Sequence, residues 1–517
     1  MRTQAALLAV LSVACGGNGA APQSHARPNI LVIDIDTFRA DHLGAIREGR
    51  PVTPALDALA ARGTRFTNAY SQSGWTIPAL VSNLTGTLPV VIAAEDGEVA
   101  WRPAGTRDLA EIVAMYGYST AAFWGTTIPG TMAAAISPAF QTNSVHQGKL
   151  SSPPTHEVTE YLADRPVEPF FAFVHDIDLH HPTAYMTEDG RVPFDNRSIP
   201  RGVSNYQAIF DRVRTSDGDE IAAQTMLARY DGVIHLYDAA VGRILAALED
   251  AGLADHTVVV VTSDHGEDFV EHSVAEHGLL YDTTLHVPLI VADPAAPGGR
   301  TVDVVVQSVD LAPTLLARAG IPVDRSMDGR SYLSLLGGTG EAGEAPYTER
   351  PVFSLTEACH VSLRTRTAKL ILRDTRLHAD RRWQPVGGKN NVVVTLGAFA
   401  DAHDLGNALL ADCSGITAPA DAVTHTERGP GPEELAIELY DLTTDPGELA
   451  NLVSVQPQLA QELLGPLLRT LADRRRALAG AQKETMTPAT VRAMKEQGYW
   501  GLLQPGGGAG TGSGGRR

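Results

Sequence analysis

The run NILVIDI, Asn29–Ile35, is apolar between its opening Asn and Asp34, and the charged stretch DTFRADHLG, Asp36–Gly44, follows directly. A strand with helices packed on both faces has neither side in water and reads as a continuous apolar run, whereas a half-exposed strand alternates. The stretch therefore predicts a central strand of a parallel sheet, with polar residues gathered where it ends. The next segments repeat the theme. TPALDALAARG, Thr53–Gly63, has helical spacing and a Gly stop, and TRFTNAY, Thr64–Tyr70, reads as extended. TRDLAEIVAMYG is helical and YSTAAFW extended; THEVTEYLADR is helical and PFFAFVHDI extended. A helix from about Ala222 to Ala251 leads into HTVVVVTSDHG, and VPLIVAD is a further apolar strand. Repeated units of this kind predict an α/β fold, a mostly parallel sheet with helices on both faces and its chemistry at the carboxyl ends of the strands.

The periodicity changes after about Pro351. PVFSLTEACHVSLRTRTAKLILRD and NNVVVTLGAF read as short strands, ELYDLTTDPGELANL as a strand and turn, and QLAQELLGPLLRTLADRRRALAG as an amphipathic helix. The expected organisation is a main domain over 28–350, a smaller C-terminal α+β subdomain with a short antiparallel sheet over 351–504, and a disordered Gly-rich tail over 505–517. Residues 1–15 carry an apolar run too short to span a bilayer and suited to an export signal, with 16–27 as a linker. Cys15 after Ser-Val-Ala resembles a bacterial lipoprotein cleavage site. Export to a bacterial periplasm or cell surface is the expectation, with a lipid on Cys15 as the membrane contact. Cys359 and Cys413 then either pair or stand as two separate thiols, because two cysteines define no spacing.

The 517 residues carry a formal net charge of −19. A general nucleic-acid binder is excluded, since no basic surplus exists to neutralise phosphates. An anionic ligand would need a local cation, either a metal or a few placed His and Arg.

Three clusters follow strand segments. The first holds Asp34, Asp36, Arg39, Asp41 and His42; its carboxylates suit a hard divalent ion, or else make turns and helix caps. The second, TSDHGEDFVEHSVAEHG, sets Asp264 and His265 side by side, with His272 and His277 shortly after. One carboxylate and one imidazole do not complete a coordination shell, so partners such as Asp36 must come from a neighbouring strand. The third, FVHDIDLHHPTAY, holds His175, Asp176, Asp178, His180 and His181, imidazoles able to donate to an anionic oxygen or to pack at the surface.

Together these segments resemble a known family. RPNILVIDIDTFRADHLG, TPALDALAARGTRFTNAYSQSGWTIPALVSNLTGTLP, TSDHGEDFVEHSVAEHGLLYDTTLHVPLIV, VDLAPTLLARAGI and LYDLTTDPGELANL look like the successive signature segments of sulfatases, within the alkaline phosphatase superfamily. The resemblance runs from about Pro28 to Ala479. It implies an alkaline-phosphatase-like sheet and one divalent ion (Ca, Mg, Mn or Zn) held by Asp36, Asp264, His265 and the nucleophile. Aligning PALVSNLTG on Pro78 and Thr85-Gly86 places Thr76 at the nucleophile. His180 falls on a histidine of the family's Asp-Pro-His segment and His277 where many members carry a substrate-binding Lys, so both are expected to touch the transferred group. Arg39 is a further candidate for the anion.

The departures matter as much. Main-type sulfatases convert Cys or Ser to formylglycine, and Thr is not a substrate for that conversion. Leu80 stands in place of an Arg, Trp124-Gly125 in place of a Lys, and Thr37 in place of a second acid. Other branches of the superfamily, phosphodiesterases and phospho-alcohol transferases, resemble this chain in using an unmodified Thr. The reading is a metal-dependent hydrolase acting on a sulfate or phosphate ester of a small molecule, glycan or lipid, with Thr76, His277 and His180 as catalytic groups. The alternatives are a phosphoglycerol or phosphoethanolamine transferase acting on the envelope and a catalytically silent anion-binding protein. Thr76 as a simple helix cap remains the plain counter-reading, worth about 1 kcal/mol on substitution by Ala.

Overall fold

The computed structural model describes residues 27–89, 92–93, 99–100, 105–125, 139–146, 154–176, 179, 194, 220–269, 271–272, 275–337, 346–356, 360–374, 394–395 and 435–478. The expected export signal with Cys15, His180, Cys359, Cys413 and the C-terminal tail lie outside these residues.

The large sheet is built from β1 (Asn29–Ile35), β2 (Thr64–Tyr70), β3 (Ser119–Trp124), β4 (Thr142–Val145), β5 (Phe170–Asp176), β6 (Thr257–Thr262), β7 (His286–Ala292), β8 (Arg300–Val302) and β9 (Val306–Gln307). Their order is β8-β2-β7-β6-β1-β5-β3-β4, with β9 also on β2. β1 pairs in parallel with both β6 and β5, and β3 in parallel with β5 and β4. β7 alone among these runs antiparallel to its two neighbours, β6 and β2. The sheet is thus mixed and mostly parallel, as the apolar strand segments predict. The reversed direction of β7 was not legible, because an apolar run reads the same both ways.

Alternation along β1 explains why it is apolar throughout. Ile30 and Val32 enter one core with α2 (Thr76–Thr85), α3 (Leu109–Met115) and α6 (Leu311–Arg318). Leu31, Ile33 and Ile35 enter the opposite core with α1 (Pro54–Arg62), α4 (Thr155–Ala163) and α5 (Glu220–Asp250). A strand sandwiched in this way excludes water from both faces. No helix among the described residues is long and apolar enough to cross a membrane.

A second, antiparallel sheet follows: β10 (Val352–Leu355), β11 (Val361–Arg364), β12 (Ala368–Asp374), β13 (Val394–Thr395) and β14 (Leu435–Asp441), in the order β10-β11-β12-β14-β13. Its apolar face packs on α7 (Pro457–Leu478) through Leu370, Leu439, Leu467 and their neighbours. Ile371 and Tyr440 point the other way, onto Leu279, Leu280 and Tyr281 of the main domain. The small sheet therefore backs directly onto the loop that carries His277.

Candidate active site

Three adjacent parallel strands, β6-β1-β5, end at one edge, and register fixes what meets there. Asp34 lies beside both Thr262 and His175. Two residues on, Asp36 emerges past β1, its amide donating to the Asp176 carbonyl at 2.9 Å. Thr37 then takes a left-handed backbone, φ 58°, a conformation rare for a β-branched residue. The turn is held from β6: the amide of Thr37 donates to Asp264 Oδ1 at 3.3 Å, and that of Phe38 to Ser263 Oγ at 3.1 Å. Strain of this kind persists where surroundings over-determine it, and here it brings Asp36 and Asp264 onto one point.

Asp36, Asp264 and His265 are each wholly buried, and one donor atom from each lies within 4.8 Å of the others. His265 Nε2 is 3.5 Å from Asp36 Oδ1 and 3.5 Å from Asp264 Oδ2. Its other nitrogen, Nδ1, lies 2.8 Å from the Gly266 carbonyl, which can only accept. Nδ1 therefore carries the proton, and the Nε2 lone pair faces the carboxylates. Burial, reinforced by the nearby His277, pushes the His265 imidazole down to about 3, so it is neutral. Both Asp36 oxygens and Asp264 Oδ2 are buried without a hydrogen-bond partner. Burial raises the Asp36 carboxyl well above its ordinary value, and the charges of Asp264, Glu267, Asp34 and Asp176 push the same way. Orphaned carboxylate oxygens and a lone-pair imidazole converging in a dry site fit a divalent cation, which supplies the missing partner and counter-charge.

Thr76 reaches this point from the other side. It opens α2, where Trp75 holds the capping position without a side-chain cap, so the Thr76 hydroxyl is not spent on capping. Instead Thr76 Oγ1 lies 3.2 Å from His265 Nε2. The turn before it depends on Gly74, whose Cβ, if present, would meet the Leu279 carbonyl oxygen at 2.2 Å. The Gly278 amide donates back to the Gly74 carbonyl at 2.6 Å. These contacts clamp the His277 loop onto the Thr76 turn. The His277 ring stacks on His265, with centroids 4.8 Å apart and planes at 20°. Its Nδ1 is 3.5 Å from Glu267 Oε1.

The structure thus gathers Asp36, Thr76, Asp264, His265 and His277. Arg39 sits apart in role: its guanidinium is engaged by Asp41, by Glu271 at 2.7 Å and by the Glu267 carbonyl at 3.2 Å. This ties the loop after β6 to the loop after β1 and leaves Arg39 holding the site rather than reaching into it. His42 pairs with Asp231 at 2.6 Å, and His272 lies between Asp268 and the Gly447 carbonyl, so neither joins the cluster. Leu80 is a core residue, wholly buried among apolar side chains, and Trp124 donates through Nε1 to Asn143 at 2.7 Å. Glu267 and Gly74 were missed in the sequence. For Glu267 the signal was present, an acid two residues past His265; for Gly74 none existed beyond a glycine beside a Trp.

The chain is 25% identical over 329 residues to arylsulfatase K of Xenopus laevis, an alignment covering 59% of this chain and 52% of that protein. It is also 25% identical over 334 residues to an ulvan-active sulfatase of Formosa agariphila, covering 60% and 65%. The chain therefore spans about half to two-thirds of the length of these curated relatives. Among solved structures, a phosphonate monoester hydrolase of Agrobacterium radiobacter superposes with a TM-score of 0.58 at 20% identity, covering 87% of this chain and 96% of that one. A 2-O GAG sulfatase gives 0.58 at 19% identity, covering 89% and 95%. At such identities the likeness establishes the fold. A profile for the C-terminal part of N-sulphoglucosamine sulphohydrolase matches residues 270–373. The sulfatase profile matches residues 28–321, more than half of the sequence and all of the cluster just described, and the chain belongs to the sulfatase family.

Proposed function

We propose that this protein hydrolyses the ester of a tetrahedral anion through Thr76, with phosphorus esters favoured over sulfate esters. The observation that carries the reading is the 3.2 Å approach of Thr76 Oγ1 to His265 Nε2, at the point where Asp36 and Asp264 converge. A divalent ion held by Asp36, Asp264, His265 and Thr76 would lower the pKa of the hydroxyl and screen the anion's charge. Thr76 Oγ1, its proton passed to water, forms a bond to phosphorus or sulfur as the bond to the leaving alkoxy oxygen breaks. His277, stacked beside His265 with its Nδ1 3.5 Å from Glu267 Oε1, donates a hydrogen bond to an oxygen of the transferred group or a proton to the leaving alkoxy oxygen. Water then cleaves the Thr76 ester, restoring the hydroxyl and releasing the inorganic anion. His180 enters as a second donor through its sequence position.

One consideration favours phosphorus: Thr76 does not form the formylglycine on which main-type sulfatases rely. The fold itself is neutral, being shared with phosphonate monoester hydrolases as well as with sulfatases. Relatives named for ulvan and for a hexuronate 2-O-sulfate motivate glycan esters as the first natural substrates to try. Export remains a proposal from residues 1–15, tested by cell fractionation, and a lipid on Cys15 is a separate proposal, tested by whether Cys15→Ser releases the protein from membranes.

The deciding experiment is a panel of chromogenic sulfate, phosphate monoester, phosphodiester and phosphonate substrates, each assayed with Ca, Mg, Mn or Zn added to chelated protein. Turnover of phosphorus esters that disappears in Thr76→Ala supports the reading. Turnover of sulfate alone reverses the preference, and no turnover with any metal favours the silent anion-binding alternative.

A further inference from the structure

The buried edge of the sheet holds more negative charge than one divalent ion neutralises. Asp34, Asp36, Asp176 and Asp264 are wholly buried and Glu267 is 3% exposed, five carboxylates of which the other four all act electrostatically on Asp36. With all five ionised, one divalent ion would leave three negative charges in a water-poor site that must also accept an anion. The Arg and Lys that resembling proteins place around the anion are here Leu80, buried in the apolar core, and Trp124-Gly125.

A second group of donors lies two residues deeper along the same strands. Asp34, His175 and Asp264 each offer one atom within 4.8 Å of the others, and all three are wholly buried. His175 Nδ1 is 3.3 Å from Asp34 Oδ1. That separation is also the edge of a tetrahedral shell built on metal–ligand bonds of about 2.0 to 2.1 Å. Asp264 Oδ2 is buried without a hydrogen-bond partner, and so is His175 Nε2, the ring nitrogen that lies outside a shell built on Nδ1. The remaining oxygen of Asp34 accepts from Asn83 Nδ2 at 3.0 Å, an outer contact that fixes the carboxylate plane. The His175 ring is held between Phe173, stacked at 8°, and the edge of Trp124. Asp264 is common to both groups and so joins them.

We propose that Asp34, His175 and Asp264 form a second cation site, bridged by Asp264 to the one beside Thr76, that takes a divalent ion of the zinc or manganese class. The imidazole of His175 suits zinc, and the two carboxylates suit manganese. The second ion supplies the positive charge that Leu80 and Trp124-Gly125 do not, which lets this chain hold an anion without the usual cationic side chains. The inference rests on the first site being a metal site, and its test separates the two.

Purified full-length protein is stripped with chelator, reloaded with Zn2+ or Mn2+, desalted, and its metal counted per chain by mass spectrometry. Mn-loaded samples are also examined by electron paramagnetic resonance. Two ions per wild-type chain with a spin-coupled Mn signal are expected. Asp34→Asn and His175→Gln should each retain one ion and give an uncoupled signal. Asn83→Ala keeps every ligand and should weaken only the second ion, by about 10- to 100-fold in affinity. If the two ligand variants do not fold by circular dichroism, the Asn83→Ala titration decides. One ion per wild-type chain, or two ions persisting in Asp34→Asn, overturns the second site and leaves the first standing. No bound ion in the wild type overturns both.

Discussion

Lys369, wholly buried in β12, places its ammonium 2.7 Å from Asp282 Oδ1 and 2.8 Å from Glu448 Oε1. Asp282 follows the His277 loop, and its amide in turn is held by the Glu448 carboxylate. The second sheet thus anchors the loop that closes over Thr76, through charges that have left water. Removing one member of a buried charged set strands the others, so Lys369→Met should cost about 3 to 5 kcal/mol. A denaturant titration checks this, and a loss below about 1 kcal/mol would mean the anchor carries no weight.

The same anchor sets an acid limit. Burial alone would raise the Asp282 carboxyl, but Lys369 and Arg364 outweigh it and hold it well below the usual carboxylate range. A group depressed in the folded state stabilises above its unfolded value, near about 4, and loses that contribution as pH falls toward the folded value. Urea midpoints of the wild type and Asp282→Asn should therefore differ most at neutral pH and converge below about pH 4. A gap that widens on acidification contradicts the assignment.

Gly74 permits the approach of two loops that no other residue allows. In Gly74→Ala the new methyl falls on the Leu279 carbonyl, which must move and carry His277 with it. Turnover should drop by at least about 100-fold, as for any small misplacement of a reacting group. Ala at Gly465 in α7, where the backbone is not left-handed and a Cβ meets only the end of Arg469 at 3.5 Å, serves as the control for glycine replacement as such.

Much of this site was legible because it sits on strand ends. NILVIDI, PFFAFVHDI and HTVVVVTSDHG are apolar runs that end in acids and imidazoles, and the three proved to be neighbours in the sheet. In the structure the alternation along β1 and β5 sets Asp34 and His175 on the face of Ile30, Val32, Phe171 and Phe173, which share a core with α2. What escaped was contact between loops. The Gly74–Leu279 approach, the Glu267–His277 pair and the burial of Lys369 depend on how distant segments dock, and TAKLILRD offers no sign that its Lys lies inside. Arg39 escaped for the same reason: its sequence position suggested an anion contact, but Asp41 and Glu271 claim its donors.

Leu80 shows that the missing arginine is not simply restorable. The side chain is wholly buried in the core between sheet and helices. Leu80→Arg should lose several kcal/mol of stability, because a guanidinium must leave water and displace a side chain packed in the apolar core. A melting temperature lowered with no gain of sulfate-ester turnover is the expected result. A stable variant with new sulfatase activity would mean the position opens onto the anion after all.

The account stands or falls on Thr76 as the nucleophile. The direct measurement is mass spectrometry of peptides from enzyme quenched in acid during turnover of a good substrate, alongside Thr76→Ala. A single phosphoryl or sulfuryl group on Thr76 is predicted, with Thr76→Ala folding normally and losing at least about 1000-fold in kcat/KM. An unmodified Thr76 peptide together with a variant that turns over at near wild-type rate would contradict it.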